Sequence, residues 1–263
     1  MENLENLKIE KDMYYSDYMT FQYTDISLTE IPNSVSLVIY NPQCFLSCPW
    51  CFNTDLRNKK ALTWKQIKDA IDEHSEFIDG VVFSGGEPLM NNFLIKGIKY
   101  AKDKGLKVKL NTNGLIVKNM TFNMCIPYID YLHISIKGTF GDYESLLMKP
   151  VVESLTPCCD VLEYSFVYSP SFISQTSLYF LHTFLRKQIS FDWRTMFTHR
   201  WSHPDIFTIS QMQTGNCLNA QYNDCRIPTR EECIEVAKIF SDIPKKKVIV
   251  ETKEFGRETI YKK

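Results

Sequence analysis

Eight residues constrain this chain more than any others: Cys44-Phe45-Leu46-Ser47-Cys48-Pro49-Trp50-Cys51 carries three thiols at C-x3-C-x2-C spacing. They sit on a loop expected to leave a buried strand, because Ser34-Val35-Ser36-Leu37-Val38-Ile39-Tyr40 is rich in β-branched and apolar residues and ends at Asn41-Pro42. Soft thiolates suit zinc and iron–sulfur clusters alike. A structural zinc wants four ligands, yet no fourth Cys or His lies close by, and the next histidine, His74, falls in a helix pattern. Three thiolates on a four-iron cube leave one iron open to a substrate or cosubstrate. A zinc loop, or thiols that merely pack, are the competing readings.

The remaining cysteines narrow the setting. There are nine in all (44, 48, 51, 125, 158, 159, 217, 225 and 233). The N-terminal residues are polar and charged by turns with no apolar core segment, so a secretory signal is not expected and the cytoplasm is. Thiols stay reduced there, and an odd count then argues for metal ligation rather than a disulfide framework. No run approaches the length of an apolar membrane span. Lys plus Arg (30) almost cancels Asp plus Glu (31), which gives no reason to expect general nucleic-acid binding. With 263 residues, 44% of them hydrophobic, one domain is the default: a lead-in over 1–33 and a single domain over 34–263.

Strand and helix patterns alternate along that domain. Thr63-x-x-Gln66 resembles a capping box ahead of a helix with Trp64, Ile67, Ile71 and His74 on one face. Val81–Phe83 reads as a strand, and Phe93–Lys104 as a helix closed by Gly105. Strands follow at Leu106–Leu110 and Tyr131–Lys137, with a weaker helix near 119–126 between them. Then come a short helix at Val151–Leu155, a strand at Val161–Tyr168, a helix at Gln175–Lys187 and a strand at Ile189–Phe197. Thr229–Phe240 reads as a helix and Lys247–Glu251 as the last strand. Such units pair their strands in parallel through right-handed crossovers and place their sites at the strands' C-terminal ends. The expected fold is α/β, a partial (β/α)6 barrel.

Three further segments follow strands and so share a face with the cysteine loop. Ser84-Gly85-Gly86-Glu87-Pro88 offers glycines that allow close backbone approach and amides and carbonyls that suit a small zwitterion. Asn111-Thr112-Asn113-Gly114 and Ser135-Ile136-Lys137 end the next two strands. Arg194 is a weaker candidate on a later strand, and His199 and His203 flank Trp201.

The cysteine spacing, the aromatic residue before the last cysteine and the Gly-Gly-Glu-Pro segment resemble the radical S-adenosylmethionine superfamily, whose partial-barrel fold the resemblance implies. In that family Cys44, Cys48 and Cys51 would hold one [4Fe-4S] cluster, whose open iron binds the methionyl part of S-adenosyl-L-methionine. The resemblance implies reductive cleavage to a 5′-deoxyadenosyl radical that abstracts hydrogen. It also places Trp50 near the adenine, Gly85, Gly86 and Glu87 at the amino group, and Asn53 at a position where relatives carry Asn. Lys137 would meet the carboxylate and Arg194 the ribose or carboxylate, while Asn111 with Thr112, and Ser135, stand in segments where relatives carry an acid.

From about residue 25 to 260 the pattern resembles the activating proteins of glycyl radical enzymes, most closely those of anaerobic ribonucleotide reductase. It includes Asp130 to Gly138 and Pro228-Thr229-Arg230-Glu231-Glu232. That resemblance implies a glycyl radical enzyme as partner and reduced ferredoxin or flavodoxin as electron donor. Cys158, Cys159, Cys217 and Cys225 are either ligands of a second cluster or metal, or unligated thiols, while Cys125 and Cys233 suit the core. The alternative functions are a radical enzyme acting on a small molecule or peptide, and a cluster-bearing redox or binding module.

Overall fold

The structure, a computed structural model, describes residues 22–58, 62–91, 93–115, 120–137, 159–190, 205–243 and 247–262. Its frame is one nine-stranded sheet whose order in space is its order in sequence. Strands β2 (Ser36–Asn41), β3 (Gly80–Gly85), β4 (Lys107–Thr112), β5 (Tyr131–Ile136), β6 (Val161–Tyr168), β7 (Ile206–Gln211) and β8 (Lys247–Thr252) run parallel. β1 (Gln22–Ser27) and β9 (Gly256–Lys262) close the two edges as antiparallel partners of β2 and β8. Because every crossover steps in the same direction, the sheet curls as a barrel does instead of reversing as a doubly wound sheet would. The expected α/β partial barrel is thus borne out.

Helices α1 (Trp64–His74), α2 (Leu94–Asp103), α3 (Met120–Cys125), α4 (Gln175–Ser190) and α5 (Arg230–Ile239) fill five of the six crossovers. The sixth runs through residues outside the described ones, which is also where the helix expected at Val151–Leu155 lies. Local sequence explains the helix ends. Thr63 and Gln66 form a reciprocal capping box at α1, and Thr229 and Glu232 form another at α5. Gly105 ends α2 with a φ of +78°. Thr229→Ala should lower stability by about 1 kcal/mol in a urea titration, since one amide donor of α5 loses its acceptor. The apolar sides of these helices, Ile67, Ile71, Leu94 and Ile98 among them, pack on Leu37, Ile39, Val81, Phe83, Val108 and Leu110 of the strands. No helix among the described residues is long and apolar enough to cross a membrane.

Three strands depart from the sequence reading. The strand expected at Ile189–Phe197 is not there at its start, because α4 continues through Ser190; residues 191–204 lie outside the described ones. The strand that pairs with β6 is instead Ile206–Gln211. Its alternate residues Thr208 and Ser210 are polar and face the inside of the sheet, which blunted its apolar pattern. β9 extends the sheet past β8, and its residues, exposed or half-buried with none fully buried, are those of an edge strand. β1 falls in the stretch read as a lead-in.

The concave inner face is polar and charged. Lys109 of β4, only 1% exposed, donates to the Glu30 carbonyl at 2.6 Å and its carboxylate at 3.0 Å. Asn111 donates to Glu30 and Ser84 and accepts from His133 Nδ1 at 3.1 Å, while His133 Nε2 accepts from Ser165 Oγ at 2.7 Å. On the other side, Arg257 of β9 reaches Glu163 of β6 at 2.6 Å, and Tyr131 and Thr208 donate to the same carboxylate. Each edge of the open sheet is therefore pinned to a central strand through the interior, Glu30 to β4 and Arg257 to β6.

Burial pushes His133 down to about 4, so the ring is neutral at pH 7 with both nitrogens engaged. A histidine harder to protonate folded than unfolded contributes stability above its ordinary value of 6.5 that is lost as pH falls toward 4. Thermal unfolding midpoints should therefore drop between pH 6.5 and 4 and do so less steeply in His133→Gln. An unchanged slope in that variant would assign the acid sensitivity to other groups.

Candidate active site

The cysteine loop is fastened directly onto the end of β3. Gly86 N–H donates to Asn41 O at 2.6 Å, Glu87 N–H to Gln43 O at 2.7 Å, and Asn53 Nδ2 to Gly85 O at 3.2 Å. Glycine is required at both positions. A Cβ on Gly85 would stand 2.3 Å from Asn41 O, at a φ of +109°, and one on Gly86 would stand 2.4 Å from Gln43 O. Within the loop, Cys51 N–H closes a turn onto Cys48 O at 2.9 Å.

Above this junction lies a cavity of about 280 Å³ at the C-terminal ends of six strands. The loop after β2 contributes Cys44, Cys48, Trp50 and Cys51, β3 ends in Gly85 and Gly86, β4 leads to Asn113 and β5 to Lys137. Val167 of β6 and Gln211, Met212 and Gln213 from the end of β7 complete the far wall. Trp50 is stacked on Phe172, with ring centroids 4.8 Å apart and planes within 12°, and Tyr222 leans on both. Lys137 Nζ donates to Ser135 Oγ at 2.8 Å.

A late segment straps the cysteine loop from outside. Leu218 N–H donates to Cys51 O at 3.0 Å, Asn219 N–H to Pro49 O at 2.9 Å, and Asn216 Nδ2 to Asp55 at 3.2 Å. Asn223 holds the strap's bend by accepting from the Gly215 and Cys217 amides. Cys217 is buried near Cys225 and Cys51, and burial first, then those two thiols, push it up. It does not line the cavity. Cys125 and Cys233 are fully buried, and burial pushes each up to about 12, as for thiols that only pack. None of the described cysteines forms a disulfide, and Cys158 lies outside the described residues.

Of the residues singled out in the sequence, the cavity thus gathers Cys44, Cys48, Cys51, Trp50, Asn53, Gly85, Gly86 and Lys137. Glu87, Asn111, Thr112 and Ser135 do not line it. Asn111 is committed to the interior network, Ser135 lies behind Lys137, and the Thr112 hydroxyl donates to Glu87 at 2.7 Å. Arg194, His199 and His203 lie outside the described residues. Sequence reasoning passed over Asn113 as a lining residue although it stands inside a quoted motif, and it passed over Gln211 to Gln213 because β7 itself went unread.

The family description "Radical SAM superfamily" matches residues 38–153, the stretch that carries the cysteine loop and the ends of β3, β4 and β5. Over that stretch the chain is similar to the radical S-adenosylmethionine superfamily. Two similar proteins of Methanocaldococcus jannaschii are candidate glycyl-radical enzyme activating enzymes. One is 35% identical over 129 residues, 47% of this chain and 52% of that protein; the other is 28% identical over 114 residues, 43% of each. The matches thus span about half the length of these relatives. Among solved structures, Streptococcus suis SuiB is similar with a TM-score of 0.53 at 15% identity over 82% of this chain and 47% of that one. TYW1 with a lysine-pyruvate adduct bound is similar with a TM-score of 0.51 at 12% identity over 97% of this chain and 94% of that one. At such identities the likeness is one of fold.

The superfamily matched over residues 38–153 uses S-adenosylmethionine and a [4Fe-4S] cluster, and the residues present here fit both. Three thiols face one cavity, and thiolates are the ligands such clusters take. Among the described residues no three Cys, His, Asp or Glu side chains converge as ligands of a single ion do. A four-iron cube takes its thiolates at separate corners and asks for no such convergence. The cavity also presents an ammonium at Lys137, an aromatic wall at Trp50 and a buried amide at Asn113, which suit a cosubstrate with carboxylate, adenine and hydroxyl groups.

Proposed function

We propose that this chain cleaves S-adenosylmethionine reductively and passes the resulting radical to a glycine α-carbon of a partner glycyl radical enzyme, such as an anaerobic ribonucleotide reductase. The observation that carries the reading is the convergence of Cys44, Cys48 and Cys51 with Gly85, Gly86 and Lys137 on one cavity at the sheet's C-terminal mouth. The choice of branch is supported by the two M. jannaschii relatives.

In this reading Cys44, Cys48 and Cys51 would hold the cluster as thiolates, and the cluster with its cosubstrate would supply a 5′-deoxyadenosyl radical. The chain's own residues bind, orient and shield. Lys137 offers a point charge to the methionyl carboxylate, and its bond to Ser135 holds that charge at the end of β5. Trp50, backed by Phe172, gives the adenine a flat apolar wall. Buried Met212 and the glycine junction keep water from the reacting centre. The electron comes from outside, with reduced ferredoxin or flavodoxin as the donor.

The test is anaerobic. Reduced protein, S-adenosylmethionine and the organism's own anaerobic ribonucleotide reductase should give a glycyl-radical doublet in electron paramagnetic resonance. Formation of 5′-deoxyadenosine without that doublet would keep the radical chemistry and remove this partner.

A further inference from the structure

A second cavity, of about 490 Å³, opens at the ends of β7 and β8. It shares Phe52, Gln211 and Gln213 with the cavity above the cysteine loop, so three side chains form the wall between the two. That wall is pinned in place. Gln211 Nε2 donates to Pro228 O at 2.7 Å, while its Oε1 accepts from Lys253 N–H at 3.0 Å and from Gln213 Nε2 at 3.1 Å.

The second cavity has a lining of its own. Apart from Phe52 every side chain in it is polar: hydroxyls, amides, Glu251 and Lys253. Lys253 is exposed and lies just past β8, whereas Glu251 is half-buried within the strand. Ser210 Oγ donates to Glu251 Oε2 at 2.9 Å and fixes the carboxylate from the neighbouring strand. A hydroxyl orients an anion without neutralising it. Arg257 stands opposite Glu251 across the β8–β9 ladder and feels its charge, yet the guanidinium is bonded to Glu163 at 2.6 Å and Thr208 at 3.3 Å. A half-buried carboxylate in a cavity wall, held by a neutral donor, favours a cation that arrives with a ligand.

Resting on the reading above, we infer that this second cavity receives the glycine-bearing segment of the partner protein, and that Glu251 selects it by pairing with a basic side chain close to the glycine. Amides and hydroxyls along the two strand ends match the donors and acceptors of an extended peptide. The shared wall sets the spacing: a cation at Glu251 and a glycine at that wall are a few residues apart in an extended chain. Ser210 is the positioning residue for Glu251.

Fluorescence anisotropy under anaerobic conditions tests this on protein loaded with its cluster and S-adenosylmethionine, with iron and sulfide measured in every sample. The probe is a labelled synthetic peptide spanning the glycine of the organism's own anaerobic ribonucleotide reductase. Copies of it carry citrulline for each arginine, or norleucine for each lysine, one position at a time. One copy should bind the parent about 10-fold more weakly than the unmodified probe does. Glu251→Gln, which keeps an acceptor for Ser210, should bind the unmodified probe about 10-fold more weakly and that copy as the parent does, since the two changes remove one interaction. Added salt should erode the parent's advantage and leave the variant's binding in place. Unchanged binding in Glu251→Gln, equal losses from the neutral copies in parent and variant, or a loaded parent that activates the whole reductase yet fails to bind the probe would overturn the inference. A loaded parent that neither binds the probe nor gives a glycyl-radical doublet with the whole reductase would instead overturn the reading on which it rests.

Discussion

Replacing Arg257 with methionine should destabilise the protein by about 3–5 kcal/mol, the usual cost of leaving one member of a buried ion pair without its partner. Arg257 reaches from the edge strand β9 to Glu163, whose side chain is 0% exposed. Burial alone would raise the Glu163 carboxyl; the neighbouring His133, Arg257 and Lys109 charges and the Thr208 hydroxyl outweigh it and hold it at about 2. Without Arg257 the same carboxylate stays buried with less compensation, and β9 loses its tie to the centre of the sheet. Guanidinium denaturation of the variant measures the loss. Adding Glu163→Gln should restore part of it, because the stranded charge disappears with its burial cost. A loss below about 1 kcal/mol in the single variant would show that the pair behaves like a surface contact.

The second large effect is local to the site. Gly86→Ala places a Cβ 2.4 Å from Gln43 O and 2.9 Å from the Cys44 Cβ. Neither neighbour is the loose end of a flexible side chain, so the cysteine loop itself must move. Strain of this kind costs on the order of 1–3 kcal/mol, and here it falls on the spacing between the thiols proposed to hold one cluster. Iron and sulfide bound per chain after anaerobic reconstitution should fall severalfold. Gly105→Ala is the control: its φ of +78° is also left-handed, but nothing lies within 4 Å of the added Cβ. That variant should lose about 1 kcal/mol of stability and load its cluster normally. Equal iron loading in Gly86→Ala and the parent would show that the loop tolerates displacement.

The sequence revealed features whose physics is local. The capping box at Thr63, the glycine that ends α2 and the strand before the cysteines depend on neighbours a few residues apart, and they formed where read. The cysteine loop and the Gly-Gly segment were legible for the same reason, and the structure adds only how tightly they are zipped together. What sequence could not show depends on distant partners. β7 hid because Thr208 and Ser210 serve a polar interior, and that interior exists only once Glu30, Lys109, His133, Glu163 and Arg257 are brought together from five elements or their connections.

The strap is a similar case, since nothing in Asn216-Cys217-Leu218-Asn219 announces that its amides will bind the carbonyls of Pro49 and Cys51. Asn111 shows the limit from the other side. It stands in a motif that looked like a ligand-binding one, yet both ends of its amide are satisfied by side chains of the interior. Its motif neighbour Asn113 carries a bare donor, Nδ2, instead.

Radical generation at the three cysteines is most directly measured by product. Anaerobic protein reconstituted with iron and sulfide, reduced with dithionite and given S-adenosylmethionine should release 5′-deoxyadenosine and methionine in equal amounts, and Cys48→Ala should release neither. No 5′-deoxyadenosine from the loaded parent, or undiminished release from Cys48→Ala, would contradict cleavage at this site.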